Sequence, residues 1–90
     1  MTDQLQFEQR SDSRWFAELD GGAFYRIEME RTMLGADYYL TFAYRRSTDS
    51  FWERRGTLQY ERVSTHRSLG LAIERANRHH RHRAKLAKAS

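Results

Sequence analysis

The chain has 90 residues, no cysteine and no proline, with 31% charged residues and a formal net charge of +4. A chain of this length forms one small domain, and without cysteine it has no disulfide framework, thiol nucleophile or cysteine-type zinc site. Its amino terminus lacks the basic start and apolar run of a signal peptide, and no apolar run approaches the roughly 20 residues of a membrane-spanning helix. We therefore expect a soluble, cytoplasmic protein with a single domain over residues 1–90.

The positive charge is concentrated at one end of the sequence. Residues 65–90 contain seven Lys or Arg and one Glu, whereas residues 1–64 contain nine basic and eleven acidic residues. The chain is therefore a near-neutral, aromatic-rich body followed by a basic segment. A segment of this kind indicates attraction to polyanions such as nucleic acids.

The first part of the chain shows two strand patterns. Leu5 and Phe7 alternate with polar residues and indicate a short edge strand. Residues 15–19 alternate in the same way, with Trp15 and its alternate neighbours on one face, and predict a second strand. Asp20-Gly21-Gly22 follows directly and supplies the positive-φ residues that a tight turn requires.

The middle of the chain continues the alternation. Residues 25–33 predict a strand with one wet face, 34–37 a turn, and 38–44 the strongest strand of the protein. Residues 45–55 break the alternation and indicate a long loop, and 57–63 predict a last strand. The residues of that strand expected to face inward are Leu58, Tyr60 and Val63.

The basic segment, about residues 65–88, is predicted to form one helix. Ser64 or Thr65 is placed to cap its first turn. Leu69, Ala72, Ile73 and Ala76 recur at helical spacing, so this stripe is expected to pack on the sheet. Because such a helix is about 35 Å long and a typical strand is about 17–20 Å, its second half is expected to overhang.

Together these patterns predict the α+β class: a three- to four-stranded antiparallel meander over about residues 5–63, with one long C-terminal helix packed on one face. The expected central core residues are Trp15, Tyr25, Ile27, Leu40, Phe42, Leu58, Leu69, Ile73 and Ala76.

No pattern points to an enzyme, a metal or a cofactor. The chain has no nucleophile in a glycine-rich elbow and no glycine-rich phosphate loop. Glu28 and Glu30 share one strand face, which is typical of the solvated side of a half-buried strand. The four histidines are all expected on the helix. His79 and His82 are three residues apart there, but the arginines beside them oppose a dication and no carboxylate follows Glu74.

The basic helix and an arginine-rich loop are the candidate binding site. An exposed aromatic between guanidinium pairs could stack on a base while the arginines bind phosphates; alternatively Phe51 and Trp52 fold back into the core. We expect a non-enzymatic nucleic-acid-binding module, with DNA favoured over RNA. The candidate residues are Arg45, Arg46, Trp52, Arg54, Arg55, Arg75, Arg78, Arg81 and Lys85. Membrane binding is not expected, because the helix face opposite the cations carries mainly small residues after Ala76.

The alternative hypothesis is a protein-interaction module. Four aromatic residues could lie on the sheet face away from the helix, namely Phe16, Phe24, Tyr39 and Phe51. A contiguous aromatic patch there would exceed what monomers usually expose. It would then bind either a heterologous protein or a second copy of this chain.

The order of these pieces resembles the WGR domain, which occurs in small bacterial proteins and in DNA-dependent poly(ADP-ribose) polymerases. The likeness spans about residues 23–79. It rests on Phe24-Tyr25-Arg26-Ile27-Glu28, the turn Leu34-Gly35, the Tyr39-Leu40 strand ending in Tyr44-Arg45-Arg46, then Gly56-Thr57 and a capped helix from Thr65. The resemblance implies DNA contact at the family's Trp-Gly-Arg triplet, which reads Tyr44-Arg45-Arg46 here and retains only the arginine. The layout is also similar to small accessory proteins of bacteriophages, which implies a host protein as partner.

Overall fold

A computed structural model of the chain describes residues 4–46 and 57–89. In these residues one antiparallel sheet contains β1 (Glu8–Ser11), β2 (Arg14–Glu18), β3 (Phe24–Thr32), β4 (Gly35–Arg46) and β5 (Thr57–His66), and α1 (Leu69–Ala89) follows it. The strands lie side by side in chain order, as in a meander. The predicted α+β class is confirmed, with five strands in place of three to four. The helix in the described residues does not combine the length and the apolar character needed to cross a bilayer.

One face of the sheet packs against α1. Its buried side chains come from alternate positions of the three inner strands: Ala17, Tyr25, Ile27, Leu40 and Phe42. Ala72 and Ala76 of α1 complete this core and are fully buried. Because alanine has the smallest side chain that still favours a helix, α1 lies close to the sheet. Trp15, Leu69 and Ile73 are partly buried around the same core, as predicted.

The opposite face of the sheet, called the open face below, carries no helix. It presents the other alternate residues of the strands, because side chains of a strand point to opposite faces in turn. Its aromatic members are Phe16, Phe24, Tyr39 and Tyr60. The expectation that Phe16, Phe24 and Tyr39 lie away from the helix is confirmed, and Phe51 lies outside the described residues.

A bulge in β5 corrects the prediction for the last strand. The register between β4 and β5 shifts between Leu40 and Thr41, which pair with Ser64 and Arg62. Val63, between those two residues of β5, is therefore an extra residue with no partner in β4. Since strand side chains alternate with a period of two, one extra residue reverses the faces of everything on its far side. Leu58 therefore lies opposite Arg45 and Tyr60 opposite Ala43, both on the open face. Val63 packs beside the core as predicted.

The end of the sheet and the start of the helix also differ from prediction. β5 runs to His66, so Ser64 and Thr65 pair with β4 and neither caps the helix. α1 begins at Leu69 instead, and Ser68 caps it, since the Leu71 N–H donates to Ser68 Oγ at 3.2 Å. β-branched Val63 and Thr65 favour the strand, which explains why pairing continues past the predicted boundary. His66 is consequently a strand residue.

Two other segments lie differently from their patterns. Leu5 and Phe7 precede β1 and pack against the core from an irregular segment, where the Leu5 N–H donates to Asn77 Oδ1 of α1 at 2.7 Å. Met33, which continues the alternation of β3, forms the β3–β4 turn with Leu34, and both side chains are fully exposed. The turn between β2 and β3 contains positive φ at Gly21 and Gly22, as predicted.

Candidate nucleic-acid interface

The candidate interface is the side of α1 that faces away from the sheet. Ala72 and Ala76 fix the orientation of the helix, because they lie in full contact with the sheet. At 3.6 residues per turn, Arg78, Arg81 and Lys85 lie roughly opposite these alanines and Arg75 lies at one side, and together they define the outer face. The cations on this outer face of α1 are Arg75, Arg78, Arg81 and Lys85, and all are exposed.

These cations form a continuous row. Arg75 and Lys85 are ten residues apart, which is about 15 Å along the axis at 1.5 Å per residue. Arg78 and Lys85 are seven residues apart and therefore share one line along the helix. His82 also lies on this side and is exposed. Four of the sequence-predicted binding residues are thus brought together on one surface.

Little negative charge opposes this row. Glu74 is the single acidic residue of α1, and its Oε1 lies 3.6 Å from Arg78 Nη2. Both side chains are more than half exposed, so the pair contributes little. Within the described part of the chain, no other carboxylate lies within 4.0 Å of a basic group on the outer face.

Arg83 holds the second half of α1 on the sheet. Its guanidinium carbon lies 4.2 Å from the centroid of the Phe42 ring and 5.8 Å from that of Tyr44, a cation–π arrangement. Contact with the sheet therefore continues past Ala76 through His79 and Arg83, whereas the side chains from Arg81 to Leu86 are exposed, so the expected overhang is present but begins later. The Arg83 side chain therefore faces the sheet and is not part of the outer row.

His79 is also turned toward the sheet and does not form a metal site with His82. The Tyr25 hydroxyl and His79 Nδ1 are hydrogen-bonded at 2.6 Å. Burial raises the pKa of Tyr25 to about 12, and burial lowers the pKa of His79 with a further contribution from Arg83. Both shifts favour the neutral forms that this hydrogen bond requires. Among residues 4–46 and 57–89, no cluster of His, Asp or Glu could hold a metal ion.

The structure separates Arg45 from the helix cations. Arg45 lies in β4, opposite Leu58, on the open face, so the sheet stands between it and the outer face of α1. Its side chain passes over Gly22, where a Cβ would lie 2.8 Å from Arg45 Nε. Arg46 is the last residue of β4 and pairs with Thr57. Both arginines belong to a strand, where a loop was predicted, and Trp52, Arg54 and Arg55 lie outside the described residues.

The open face is a second surface that mixes aromatic rings with arginines. Phe16 and Phe24 lie 5.9 Å apart between ring centroids, and Phe24 and Tyr60 lie 6.3 Å apart. The guanidinium carbon of Arg10 lies 4.8 Å from the Phe16 centroid, and that of Arg26 lies 5.4 Å from the Tyr60 centroid. The aromatic members were apparent from the strand pattern, except Tyr60, which the bulge moves to this face.

The open face differs electrostatically from the outer face of α1. Its arginines pair with glutamates of the same face. Arg10 Nη2 lies 2.6 Å from Glu18 Oε1, and Arg14 Nε lies 3.5 Å from Glu28 Oε2. Arg26 Nε lies 2.7 Å from Glu28 Oε1 as an ion pair whose N–H is not aligned for a hydrogen bond. One surface is therefore internally balanced and the other is cationic.

No protein-family model, curated protein or solved structure matches this chain.

Proposed function

We propose that this protein is a non-enzymatic nucleic-acid-binding module that binds phosphates through the outer face of α1. The observation that carries the proposal is the row formed by Arg75, Arg78, Arg81 and Lys85, exposed on one side of a helix whose other side is anchored to the sheet. Phosphate groups are the ligands that such rows of guanidinium and ammonium groups bind best.

The shape of the surface favours DNA over RNA. An α-helix with its side chains is about 10–12 Å across, and the major groove of B-DNA is about 12 Å wide. The major groove of A-form RNA is narrow and deep and does not admit side chains in this way. A helix that lies on a sheet and exposes one long side is suited to the wider groove or to the phosphates along its edges.

The residue types on this face favour sequence-independent binding. Arginine and lysine dominate it, and the asparagine of α1, Asn77, instead donates to the Ile73 carbonyl and accepts from the Leu5 N–H. Phosphate contacts position a protein on DNA but carry no sequence information. We therefore expect similar affinity for duplexes of unrelated sequence.

A WGR-like relationship remains part of this proposal. The order of adjacent antiparallel strands followed by a helix between residues 23 and 79 supports it. In that case Arg46, which matches the arginine retained from the family's triplet, would add a contact beyond those of α1, whereas Arg45 lies on the open face and is not included. Trp52, Arg54 and Arg55 are proposed contacts of the same kind, and the cytoplasm is the proposed compartment.

Binding to short labelled duplexes, followed by fluorescence anisotropy, tests the proposal. Four phosphate contacts on duplex DNA give a slope of about −3.6 in a plot of log affinity against log salt concentration. Affinity for both duplex and single strands weaker than about 100 μM at about 50 mM salt would be below ordinary non-specific binding and would refute the proposal. A simple preliminary observation is the ratio of absorbance at 260 and 280 nm after purification without nuclease, which should indicate retained nucleic acid.

A further inference from the structure

We propose that the open face binds a second copy of this chain, and that the resulting dimer carries its two cationic helices on opposite outer surfaces. Dimer formation does not depend on the proposed function. Its consequence for nucleic acid, described below, does rest on it.

The open face has the composition of a protein interface. Phe16, Phe24 and Tyr60 form a continuous aromatic path across β2, β3 and β5, and Tyr60 is 56% exposed. Arginines lie over these rings at 4.8 and 5.4 Å, and Arg62 lies 4.7 Å from the Tyr39 centroid. Aromatic residues and arginine are the types enriched at protein interfaces.

Over the described residues, the open face is balanced in charge. It carries Arg10, Arg14, Arg26, Arg45 and Arg62 and an equal number of carboxylates: Glu8, Glu18, Glu28, Glu30 and Asp37. A balanced face does not repel its own copy, whereas two outer faces of α1 would repel each other. Balance also gives a polyanion no net attraction. These charges therefore favour a second copy over a nucleic acid as the occupant of the open face.

Existing ion pairs reduce the cost of covering this face. Arg10, Arg14 and Arg26 already contact glutamates of the same chain. Association would therefore bury paired groups, and pairing is the condition under which buried charge is tolerated. The same pairs can be shared across a twofold interface, in which each copy presents an identical surface.

The size of the face sets the strength of the dimer. Five strands at about 4.8 Å spacing make the sheet about 24 Å wide. The five paired residues between β2 and β3 cover about 17 Å at about 3.4 Å each. The plan area is therefore about 400 Å², and side-chain relief increases the accessible area above this value. Because a stable interface buries about 800 Å² per partner, we expect a weak dimer whose population depends on concentration.

The geometry of such a dimer has a functional consequence. Two sheets packed face to face lie about 10 Å apart, and each α1 lies on the far side of its own sheet. The two outer faces of α1 then point in opposite directions, so one straight duplex cannot contact both. The dimer would bind two nucleic-acid segments and hold them together.

Self-association is tested first, without nucleic acid. Sedimentation equilibrium from about 1 μM to about 1 mM covers the range in which weak contacts dissociate, and the mass should rise from 10.8 kDa toward twice that value. Tyr60→Asp and Phe16→Asp should each weaken the dimer at least about tenfold. If Phe16→Asp fails to fold, Tyr60→Asp still provides the test, because Tyr60 is mostly exposed.

Met33→Asp is the matched control, since Met33 is more exposed than Tyr60 but lies in the β3–β4 turn. This variant should leave the dimer unchanged. A wild-type mass that stays monomeric throughout, or an equal effect of Met33→Asp, would overturn the proposal.

Bridging is tested with two duplexes, one attached to beads and one fluorescent and free. Wild-type protein should retain the free duplex on the beads. Tyr60→Asp should bind each duplex separately but lose bridging, whereas an Arg78→Ala/Lys85→Ala variant should remain dimeric and lose binding to both. Loss of bridging in Tyr60→Asp tests the dimer through the open face, whereas loss of duplex binding in Arg78→Ala/Lys85→Ala tests nucleic-acid binding by α1. Each proposal can therefore fail without the other. If Tyr60→Asp instead weakens binding to a single-stranded oligonucleotide and leaves the mass unchanged, the open face binds nucleobases and the dimer proposal is wrong.

Discussion

Removing two of the four cations from the outer face of α1 should produce a defined loss of DNA affinity. Arg78 and Lys85 share one line along the helix, and neither side chain contacts the core. If the outer row makes four phosphate contacts, Arg78→Ala/Lys85→Ala leaves two. The salt slope should then change from about −3.6 to about −1.8.

The affinity loss follows from the same relation. Each phosphate contact contributes a factor of about 10^0.9 in affinity for every tenfold reduction of salt below about 1 M. At about 0.1 M salt, two lost contacts should weaken binding about sixtyfold, or about 2.4 kcal/mol. Near 1 M salt the wild type and the variant should converge. Alanine is the best helix former, so circular dichroism should show an intact helix.

The matched control is Arg31→Ala/Arg67→Ala, which removes the same charge from exposed positions outside α1. Fluorescence anisotropy over a salt series should give this control a slope close to the wild-type value. An equal loss in both variants would mean that net charge alone governs binding. An unchanged slope for Arg78→Ala/Lys85→Ala would mean that the outer face of α1 does not contact phosphate. Either result would refute the interface described above.

Three further predictions concern stability, measured by urea unfolding. Burial lowers the pKa of His79 below its ordinary value of about 6.5. As pH falls, the unfolded chain therefore binds a proton at this histidine before the folded protein does, and the free energy of unfolding should fall between about pH 7.5 and about pH 5. His79→Gln should remove that part of the pH dependence. Tyr25→Phe removes the hydroxyl that is hydrogen-bonded to His79 Nδ1 and should destabilise the protein by about 1 kcal/mol; an unchanged unfolding midpoint would argue against the hydrogen bond. Ser68→Ala removes the helix cap and should cost about 1 kcal/mol, whereas Ser64→Ala, once predicted as the cap, should not act through the helix terminus.

Local periodicity was sufficient for most of the fold. The alternation of Tyr25 and Ile27, and of Leu40 and Phe42, predicted inward faces that are fully buried or nearly so. The helical spacing of Ala72 and Ala76 predicted the stripe that packs on the sheet and, by exclusion, the cations on the opposite side. These features depend on short-range geometry, with a period of two in strands and 3.6 in helices, and so can be read from neighbouring residues.

Other features depended on contacts between distant parts of the chain. The bulge at Val63 is a property of how β5 pairs with β4, and it moved Leu58 and Tyr60 to the open face. Pairing with β4 also extended β5 to His66 and delayed the helix to Leu69. Val63 is out of phase with Leu58 and Tyr60, which is compatible with a bulge, but local alternation does not say which part of the strand then faces the core. Neither correction could therefore be predicted from β5 alone.

Composition and short-range patterns were enough to establish the class of the fold, the side of the helix that is buried and the concentration of positive charge in the last quarter of the chain. Long-range contacts set how those charges are distributed over surfaces. It turned Arg83 onto Phe42, placed Arg45 on the far side of the sheet, and paired Arg10, Arg14 and Arg26 with glutamates of neighbouring strand positions. The physical reason is that composition counts charges, whereas electrostatic attraction depends on the distances between them, and only the assembled sheet and helix set those distances.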